Sequence, residues 1–347
     1  LFLAALGAGL VLMATGQDPI AALGVMIEGG MGSSRAWGYT LYYATNFIFT
    51  GLAVAVAIHA RLFNIGAEGQ ALLGGVGVAV ACLQVPWPHW SLAVIGALVS
   101  AAVFGGLWAL IPAWLQAKRG SHIVITTIMF NFIAAAVLNY LLVEVMKPAG
   151  VMEPATASFP TATHLPSFAD MLGVVGIPFA SDAPANFAFL LAVLACGLVW
   201  LLIWRTRLGY EIRAFGHSET GARYAGISGV KIIVVTMMIS GALAGMMSVN
   251  NVMGEAERLV LNASEGAGFI GIAVALMGRN HPVGVFLAAV LFGFLYQGGA
   301  QLSFQLQIPR EMVTVIQALV ILFTGALDQM IRGPLERAFL AARKGRA

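Results

Sequence analysis

The sequence contains few charged residues and almost no cysteine. Asp, Glu, Lys and Arg make up 10% of the 347 residues, against about 25% in a soluble domain, whereas apolar residues make up 60%. A chain with so little polar surface cannot bury its apolar side chains in one water-surrounded core, which excludes an ordinary soluble protein. The composition predicts an all-α integral membrane protein whose solvent is the lipid bilayer.

Further absences argue against enzymatic chemistry. Cys82 and Cys196 lie in apolar runs without a second thiol or a histidine at ligand spacing, which indicates packing roles rather than disulfides or metal sites. The six histidines form no HExxH pair, and there is no GxxxxGK[ST] phosphate loop. We expect no catalytic residue, no metal and no ATP site. The net charge of +3 comes from scattered residues and is poor evidence for a nucleic-acid partner.

Long apolar runs fill most of the chain. A helix needs about 20 apolar residues to cross the hydrocarbon, because its backbone amides must be satisfied within the segment. Ten candidate spans follow, of which the eighth is too short to cross alone: residues 1–13, 36–58, 66–82, 91–114, 123–146, 186–204, 232–250, 267–278, 282–302 and 312–331. Leu1 stands inside an apolar run without Met or a basic leader, so we expect missing residues before it and no cleavable signal.

The basic residues predict the orientation of these spans, since Lys and Arg are retained on the cytoplasmic side. With the amino terminus inside, 14 of the 18 Lys and Arg fall in cytoplasmic segments, and four fall outside: Arg35, Lys147, Arg258 and Arg310. Both termini are therefore expected to be cytoplasmic.

One long proline-rich stretch, residues 147–185, divides the spans five and five. We expect it to be either an extracytoplasmic docking surface or a connector within a single transmembrane domain, 1–347. The first half is 1–146, the second half is 186–331, and a cytoplasmic tail, 332–347, follows. An odd number of spans in each half predicts inverted topology, which is typical of transporters.

Each half also contains a Gly-rich, irregular element at its third span, residues 64–70 in the first half and 266–271 in the second. Interrupted spans at matching places indicate a translocation path. Polar residues within spans are the candidates to line it.

Glu68 is the most informative of these residues, since a charge within a span costs about 2.5 to 3.5 kcal/mol on insertion scales. With Asn64 and Gln70, it either lines the path or accepts hydrogen bonds from helix-start amides near the cytoplasmic mouth. Phe47 is an aromatic candidate for the path, or else a lipid-facing or core residue. The further candidates within spans are Asn46, Asn131 and Asn139.

The largest predicted cytoplasmic loop, residues 205–231, carries helix signals. Ser218 can cap a short helix, Glu219 then lies in its first turn, and Gly226 can end it in a left-handed conformation. The segment is either a docking helix or a basic loop that only sets topology. Side chains that commonly anchor interfaces are present at Arg213, Arg223 and Tyr224.

Three motifs resemble the permeases of ABC importers in the branched-chain amino acid, ribose and nucleoside family. YEIRAFGHSETGARYAGIS, residues 210–228, resembles the coupling-helix region of that family. FNIGAEGQALLGG, residues 63–75, is similar to the Gly-rich motif after the second span, especially in the nucleoside branch. GAGFIGIAVALMGRNHPVGVFLAAVLFG, residues 266–293, resembles the late double span of that branch.

The resemblance implies a permease in the bacterial cytoplasmic (inner) membrane that translocates a nucleoside or related neutral solute such as a sugar. The implied partners are ABC ATPase subunits, which carry the ATP and Mg that this chain lacks, a second permease subunit, identical or related, and an extracytoplasmic solute-binding protein. The helix at residues 218–226 would fit a groove on the ATPase. The alternatives are an ion-coupled secondary transporter, with Glu68 as its proton or sodium site, and a membrane receptor or scaffold.

Overall fold

A computed structural model describes residues 18–307 without a gap, together with residues 9, 13, 16, 314, 315, 318 and 319. Apart from these isolated positions, the predicted spans 1–13 and 312–331 lie outside the described residues, as do Arg310 and the tail 332–347.

Helices are the only extended regular elements in the described part of the chain. The α-helices are α1 Pro19–Met31, α2 Ser34–His59, α3 Ala67–Gln84, α4 Trp90–Arg119, α5 Ile123–Tyr140, α6 Phe168–Gly173, α7 Ala188–Arg205, α8 Arg207–His217, α9 Glu219–Tyr224, α10 Gly229–Met246, α11 Ala267–Met277 and α12 Pro282–Gln305. Two π-helical turns, Leu141–Val145 and Val249–Glu255, follow α5 and α10, and a 3-10 turn covers Thr161–Thr163.

Seven of these helices are long and apolar enough to cross a membrane: α2, α3, α4, α5 and α10 with their π turns, α7 and α12. Their bounds match predicted spans to within about five residues, which confirms the all-α membrane class. The predicted eighth span is α11, which has only 11 residues and is too short to cross alone.

Three helices lie where loops were expected. α1 was missed because its 13 residues are fewer than a span needs, although Asp18 caps it and Pro19 starts it. α8 was missed because its charged residues obscure an amphipathic pattern, and α6 lies inside the proline-rich stretch that we had expected to be non-helical. The segment 205–231, expected to be a cytoplasmic loop, thus holds two helices rather than one.

The described residues fall into two compact units. One contains the described parts of Leu1–Ser33 and Phe294–Ala347, where a Cβ on Gly298 would lie 2.7 Å from the Met26 carbonyl oxygen, so glycine permits the close crossing of α1 and the end of α12. The other unit is Ser34–Gly293 and holds the candidate site.

Glycines also determine how the spans of the larger unit cross. A Cβ on Gly105 of α4 would lie 3.0 Å from the Gly245 Cα, and one on Gly74 of α3 would overlap the backbone of Gly245. Gly241 of α10 likewise faces the Gly105 carbonyl oxygen. The prediction that Gly241 and Gly245 let helices pack closely is therefore confirmed.

The opposite face of α4 is a row of exposed apolar side chains at helical spacing, 44% to 59% exposed: Leu92, Ile95, Val99, Val103, Leu107 and Ile111. A face this wide and apolar matches hydrocarbon rather than water.

Candidate functional site

The chain between α2 and α3 is held by a pair of buried amide side chains. The Asn64 Nδ2 donates to the Gln70 Oε1 at 2.9 Å and to the Ser240 hydroxyl oxygen at 2.8 Å, while the Asn64 Oδ1 accepts from the Gly66 N–H at 2.9 Å. The Ser240 hydroxyl in turn donates to the Ala53 carbonyl oxygen. Asn64 and Gln70 therefore tie the start of α3 to α2 and α10.

Asn131 of α5 forms two further hydrogen bonds at the start of α3. Its Oδ1 accepts from the Gly69 N–H at 2.9 Å and its Nδ2 donates to the Ile65 carbonyl oxygen at 2.9 Å. The first amides of a helix have no partner within the helix. Since Gly66 stands at the N-cap and offers no side chain, asparagines from elsewhere satisfy these amides.

Glu68 lies in the first turn of α3 but caps a different helix. Its carboxylate accepts from the Ser264 hydroxyl, from the Gly266 N–H at 3.1 Å and from the Gly268 N–H at 2.8 Å. Gly268 permits this approach, because a Cβ there would overlap the backbone of Glu68. Glu68 thus binds helix-start amides, as the structural interpretation predicted, but those amides belong to α11 in the second half.

The two Gly-rich elements are less irregular than their sequences suggested. Residues 67–70 form the first turn of α3, and residues 267–271 form the first turn of α11, so the breaks lie just before Ala67 and Ala267. Gly266 at the second break has φ +78°, a conformation that favours glycine. The breaks meet through Glu68, so the structure brings the two elements together.

A second buried amide cluster joins α2 to the π turn after α10. The Asn250 Nδ2 donates to the Asn46 Oδ1 at 2.8 Å and to the Tyr42 carbonyl oxygen at 3.1 Å, and the Asn186 Nδ2 donates to the Asn250 Oδ1 at 3.0 Å. Of these, Asn46 was predicted, whereas Asn186, Asn250 and the adjacent Asn251 were missed. The signal was available, since paired asparagines at the end of an apolar run are unusual.

Two candidates lie away from these clusters. Phe47 is 2% exposed and packs edge to face against Phe292, with ring centroids 6.4 Å apart, so it is a core residue in this structure. Asn139 lies on the exposed surface of α5.

Residues 205–231 contain the predicted capped helix. The Ser218 Oγ accepts from the Gly221 N–H at 3.1 Å, and Gly226 has φ +79° after the last turn, as expected. Glu219 and Arg223 form an exposed ion pair at 2.6 Å, and Tyr224 is 90% exposed. α9 therefore presents an exposed surface that includes Glu219, Arg223 and Tyr224.

Arg213 departs from the expected arrangement. It lies on α8 and is half-buried, so it is less available to a partner than Arg223 and Tyr224.

α8 joins this exposed helix to the spans. Its Ile212 and Phe215 are buried, and a Cβ on Gly216 would overlap the carbonyl oxygen of His59 at the end of α2. The Trp204 ring at the end of α7 contacts the His59 ring edge to face, with centroids 5.2 Å apart. α8 therefore lies between α9 and the end of α2, where the Trp204 ring of α7 also packs.

A family model for the permease component of the branched-chain amino acid transport system matches residues 37–325. The chain belongs to this family. The permease is 36% identical over 316 residues to the glucose ABC transporter permease protein TsgB13 of Haloferax volcanii, covering 91% of this chain and 82% of the relative. It is 35% identical over 327 residues to the guanosine ABC transporter permease protein NupP of Bacillus subtilis, covering 91% and 88%.

A third relative is the nucleoside ABC transporter permease protein NupB of Lactococcus lactis, which is 33% identical over 324 residues, covering 90% of the permease and 85% of the relative. Among solved structures, PsaBC from Streptococcus pneumoniae in complex with Fab matches with a TM-score of 0.46 and 15% identity, covering 87% of the permease and 95% of that chain.

Family membership confirms the resemblance that the three motifs indicated. The permease is a multi-pass membrane protein and a transport subunit of an ABC transporter. Within residues 18–307, no group of three or more His, Cys, Asp or Glu side chains is arranged to hold a metal ion.

Proposed function

We propose that this permease belongs to an ATP-driven importer and translocates a nucleoside or related neutral solute, such as a sugar, delivered by an extracytoplasmic binding protein. The names of three relatives specify glucose, guanosine and nucleoside. These solutes share hydroxyl groups and lack a fixed charge, so amide and hydroxyl side chains can bind them without a counter-ion.

The buried polar side chains support a neutral cargo. Within the described part of the chain, every polar side chain that is fully buried is an amide or a hydroxyl. The Glu68 carboxylate already accepts three hydrogen bonds. These bonds join α3 to α11, and such a structural contact disfavours the ion-coupled alternative, in which Glu68 would be the proton or sodium site.

The proposed path runs along the two amide clusters, which lie at the helix breaks and at the π turn. Its candidate lining residues are Asn64, Glu68, Gln70, Asn131, Asn46 and Phe47. Because Phe47 is packed in the core, its access to solute requires a rearrangement of α2 against α12.

The exposed helix α9 is the observation that carries the proposed coupling to ATP. We infer that Ser218, Glu219, Arg223, Tyr224 and Gly226 form the surface that an ABC ATPase grips, with Arg213 supporting it from α8. ATP and Mg would bind the partner ATPase subunits, and this chain would contribute no cofactor. A second permease subunit, identical or related, would complete the membrane core.

The proposed topology has ten spans in two five-helix halves of inverted orientation, with both termini cytoplasmic, in the cytoplasmic membrane of a bacterium. The halves are 1–146 and 186–331 within one permease domain, and 147–185 faces outward. The distribution of Lys and Arg supports this orientation, because α9 then lies on the ATP-containing side.

Reconstitution tests the proposed function. Proteoliposomes that contain the permease, its ATPase and its binding protein should accumulate radiolabelled guanosine or glucose only with internal ATP. Omitting the ATPase is the matched control and should abolish uptake. Uptake that follows an imposed proton or sodium gradient without ATP would overturn the proposal and favour a secondary transporter.

A further inference from the structure

An uncharged surface stands out in the proline-rich segment 147–185. Residues 173–178, with the sequence GVVGIP, are all exposed, and we call them the apolar tip. Val174 is 89% exposed, Val175 is 72% exposed and Ile177 is 50% exposed. A continuous exposed apolar run is unfavourable in water and marks a contact surface.

The backbone holds the apolar tip in this exposed arrangement. Ser167 and Asp170 form a capping box at the start of α6. After α6 ends, the Ile177 N–H donates to the Leu172 carbonyl oxygen at 3.1 Å, and Gly176 adopts φ +78° between them. This is the closing pattern of a helix C-terminus, and Val174 and Val175 are exposed within it.

Hydrogen bonds place the start of α6 beside the start of span α7. The Phe168 N–H donates to the Ala185 carbonyl oxygen at 2.9 Å, and the Phe187 N–H donates to the Pro166 carbonyl oxygen at 3.1 Å. α7 begins at the next residue, Ala188. Since α7 is a candidate membrane span, the start of α6 lies beside one end of that span.

Aromatic rings continue from the tip onto the spans. Phe168 contacts Phe179 at 5.9 Å and Phe189 of α7 at 5.8 Å between ring centroids, and Phe189 contacts Phe286 of α12 at 6.2 Å. The first turn of α7 also exposes Leu190, which is 47% exposed. These ring contacts thus link Phe179, the residue after the tip, to the first turn of α7, a candidate membrane span.

The composition of the tip favours lipid over a protein partner. Residues 171–181 include no charged residue. The flanking Asp170 takes part in the capping box, and Asp182 forms an ion pair with Arg35 at 3.1 Å. The tip also lacks the Trp, Tyr and Arg side chains that anchor most protein interfaces.

We propose that residues 173–178 insert into the boundary between headgroups and acyl chains of the adjacent leaflet and anchor the 147–185 segment to the membrane surface. The occupant of this surface is lipid, and a solute-binding protein is the competing occupant. The proposal is independent of the transported solute, because it depends only on where the tip lies relative to α7.

Site-specific fluorescence tests this anchor. Val175→Cys, in a Cys82→Ala/Cys196→Ala background, is labelled with the environment-sensitive dye NBD and reconstituted in phosphatidylcholine vesicles. Met152→Cys, at a residue 97% exposed in the same segment, is the control. The probe at position 175 should show blue-shifted emission and quenching by phosphatidylcholine that carries a shallow nitroxide. The probe at position 152 should show water-like emission and quenching by iodide.

Equal iodide quenching at both positions would overturn the proposal. If the emission of the probe at position 175 shifts to the blue only when purified binding protein is added, that protein covers this surface instead of lipid. Ile177→Cys gives a second reading of the same surface if Val175→Cys does not yield a monodisperse protein. Water-like emission and iodide quenching of the probe at position 177, as at the control position 152, would also overturn the proposed anchor.

Discussion

Replacement of Glu68 tests the central contact between the two halves. Its carboxylate joins the first turn of α3 to the first amides of α11 through Ser264, Gly266 and Gly268. Glu68→Ala removes all three acceptor contacts and leaves two backbone N–H groups of α11 without a partner. Glu68→Gln keeps one acceptor oxygen but turns an amide NH2 toward a backbone donor.

The expected magnitude follows from these bonds. A hydrogen bond to a charged group contributes about 1.5 to 3 kcal/mol net, and neighbouring bonds to one group are not additive. Because Glu68 is half-buried, we expect Glu68→Ala to lower the free energy of unfolding by about 3 kcal/mol and Glu68→Gln by about half of that. The loss should begin at the start of α11.

Thermal unfolding in detergent and ATP-dependent uptake measure the two consequences separately. Glu144→Gln is the matched control, since this carboxylate is exposed near the end of another span. We expect both Glu68 variants to unfold at a lower midpoint temperature and to show less uptake, with the two decreases in proportion. Glu68→Ala should show the larger decrease in both quantities. The control should change neither quantity.

Two results would refute this reasoning. An unchanged unfolding midpoint in Glu68→Ala would mean that the carboxylate does not hold α11. Loss of uptake in Glu68→Gln with an unchanged midpoint would give Glu68 a direct role in the path instead.

Three further predictions concern other contacts. Glu219→Ala combined with Arg223→Ala should reduce copurification of the ATPase about tenfold while the bundle stays folded, because interface anchors are lost. Gly245→Leu should destabilise the fold by about 3 kcal/mol in thermal unfolding, because its Cβ would overlap the Ala101 carbonyl oxygen. Asn250→Ala should cost about 2 kcal/mol in the same assay, since it leaves buried amides unpaired.

Each of these variants has a matched control. Glu153→Ala with Arg258→Ala removes a similar exposed ion pair outside α9 and should leave ATPase binding intact; equal losses would remove α9 from the coupling surface. Gly197→Leu, where an added Cβ meets nothing within 4 Å, should be tolerated, and equal destabilisation by both glycine variants would disprove the packing argument. Asn139→Ala removes an exposed amide, so a loss matching that of Asn250→Ala would contradict the buried-cluster explanation.

The spans and the capped helix could be predicted because their signals are local. An apolar run of sufficient length predicts a span without knowledge of its neighbours. Likewise, Ser218, Glu219 and Gly226 specify a short helix within nine residues. By contrast, predicting α8 requires knowing which of its faces is covered. Its charged residues concealed that Ile212 and Phe215 are buried.

The polar partners within the bundle could not be assigned from the sequence. Glu68 bonds to residues about 200 positions away, and the Asn186, Asn250 and Asn46 contacts likewise join distant segments. Composition identifies a buried polar residue as significant, but only the packing of the spans determines which donor meets which acceptor. The sequence therefore identified Glu68 as a candidate and could not choose between its two interpretations.

The backbone amides at the starts of α3 and α11 donate to acceptors of different strength. The contacts around the two helix starts therefore differ in strength. α3 relies on the neutral amide oxygens of Asn64 and Asn131, whereas α11 relies on the carboxylate of Glu68. Neutral hydrogen bonds are about half as strong as charge-assisted ones. Breaking the polar contacts at these helix starts therefore costs less between α3 and α5 than between α3 and α11. The two helix starts should move as one unit, since the strongest polar contact joins them.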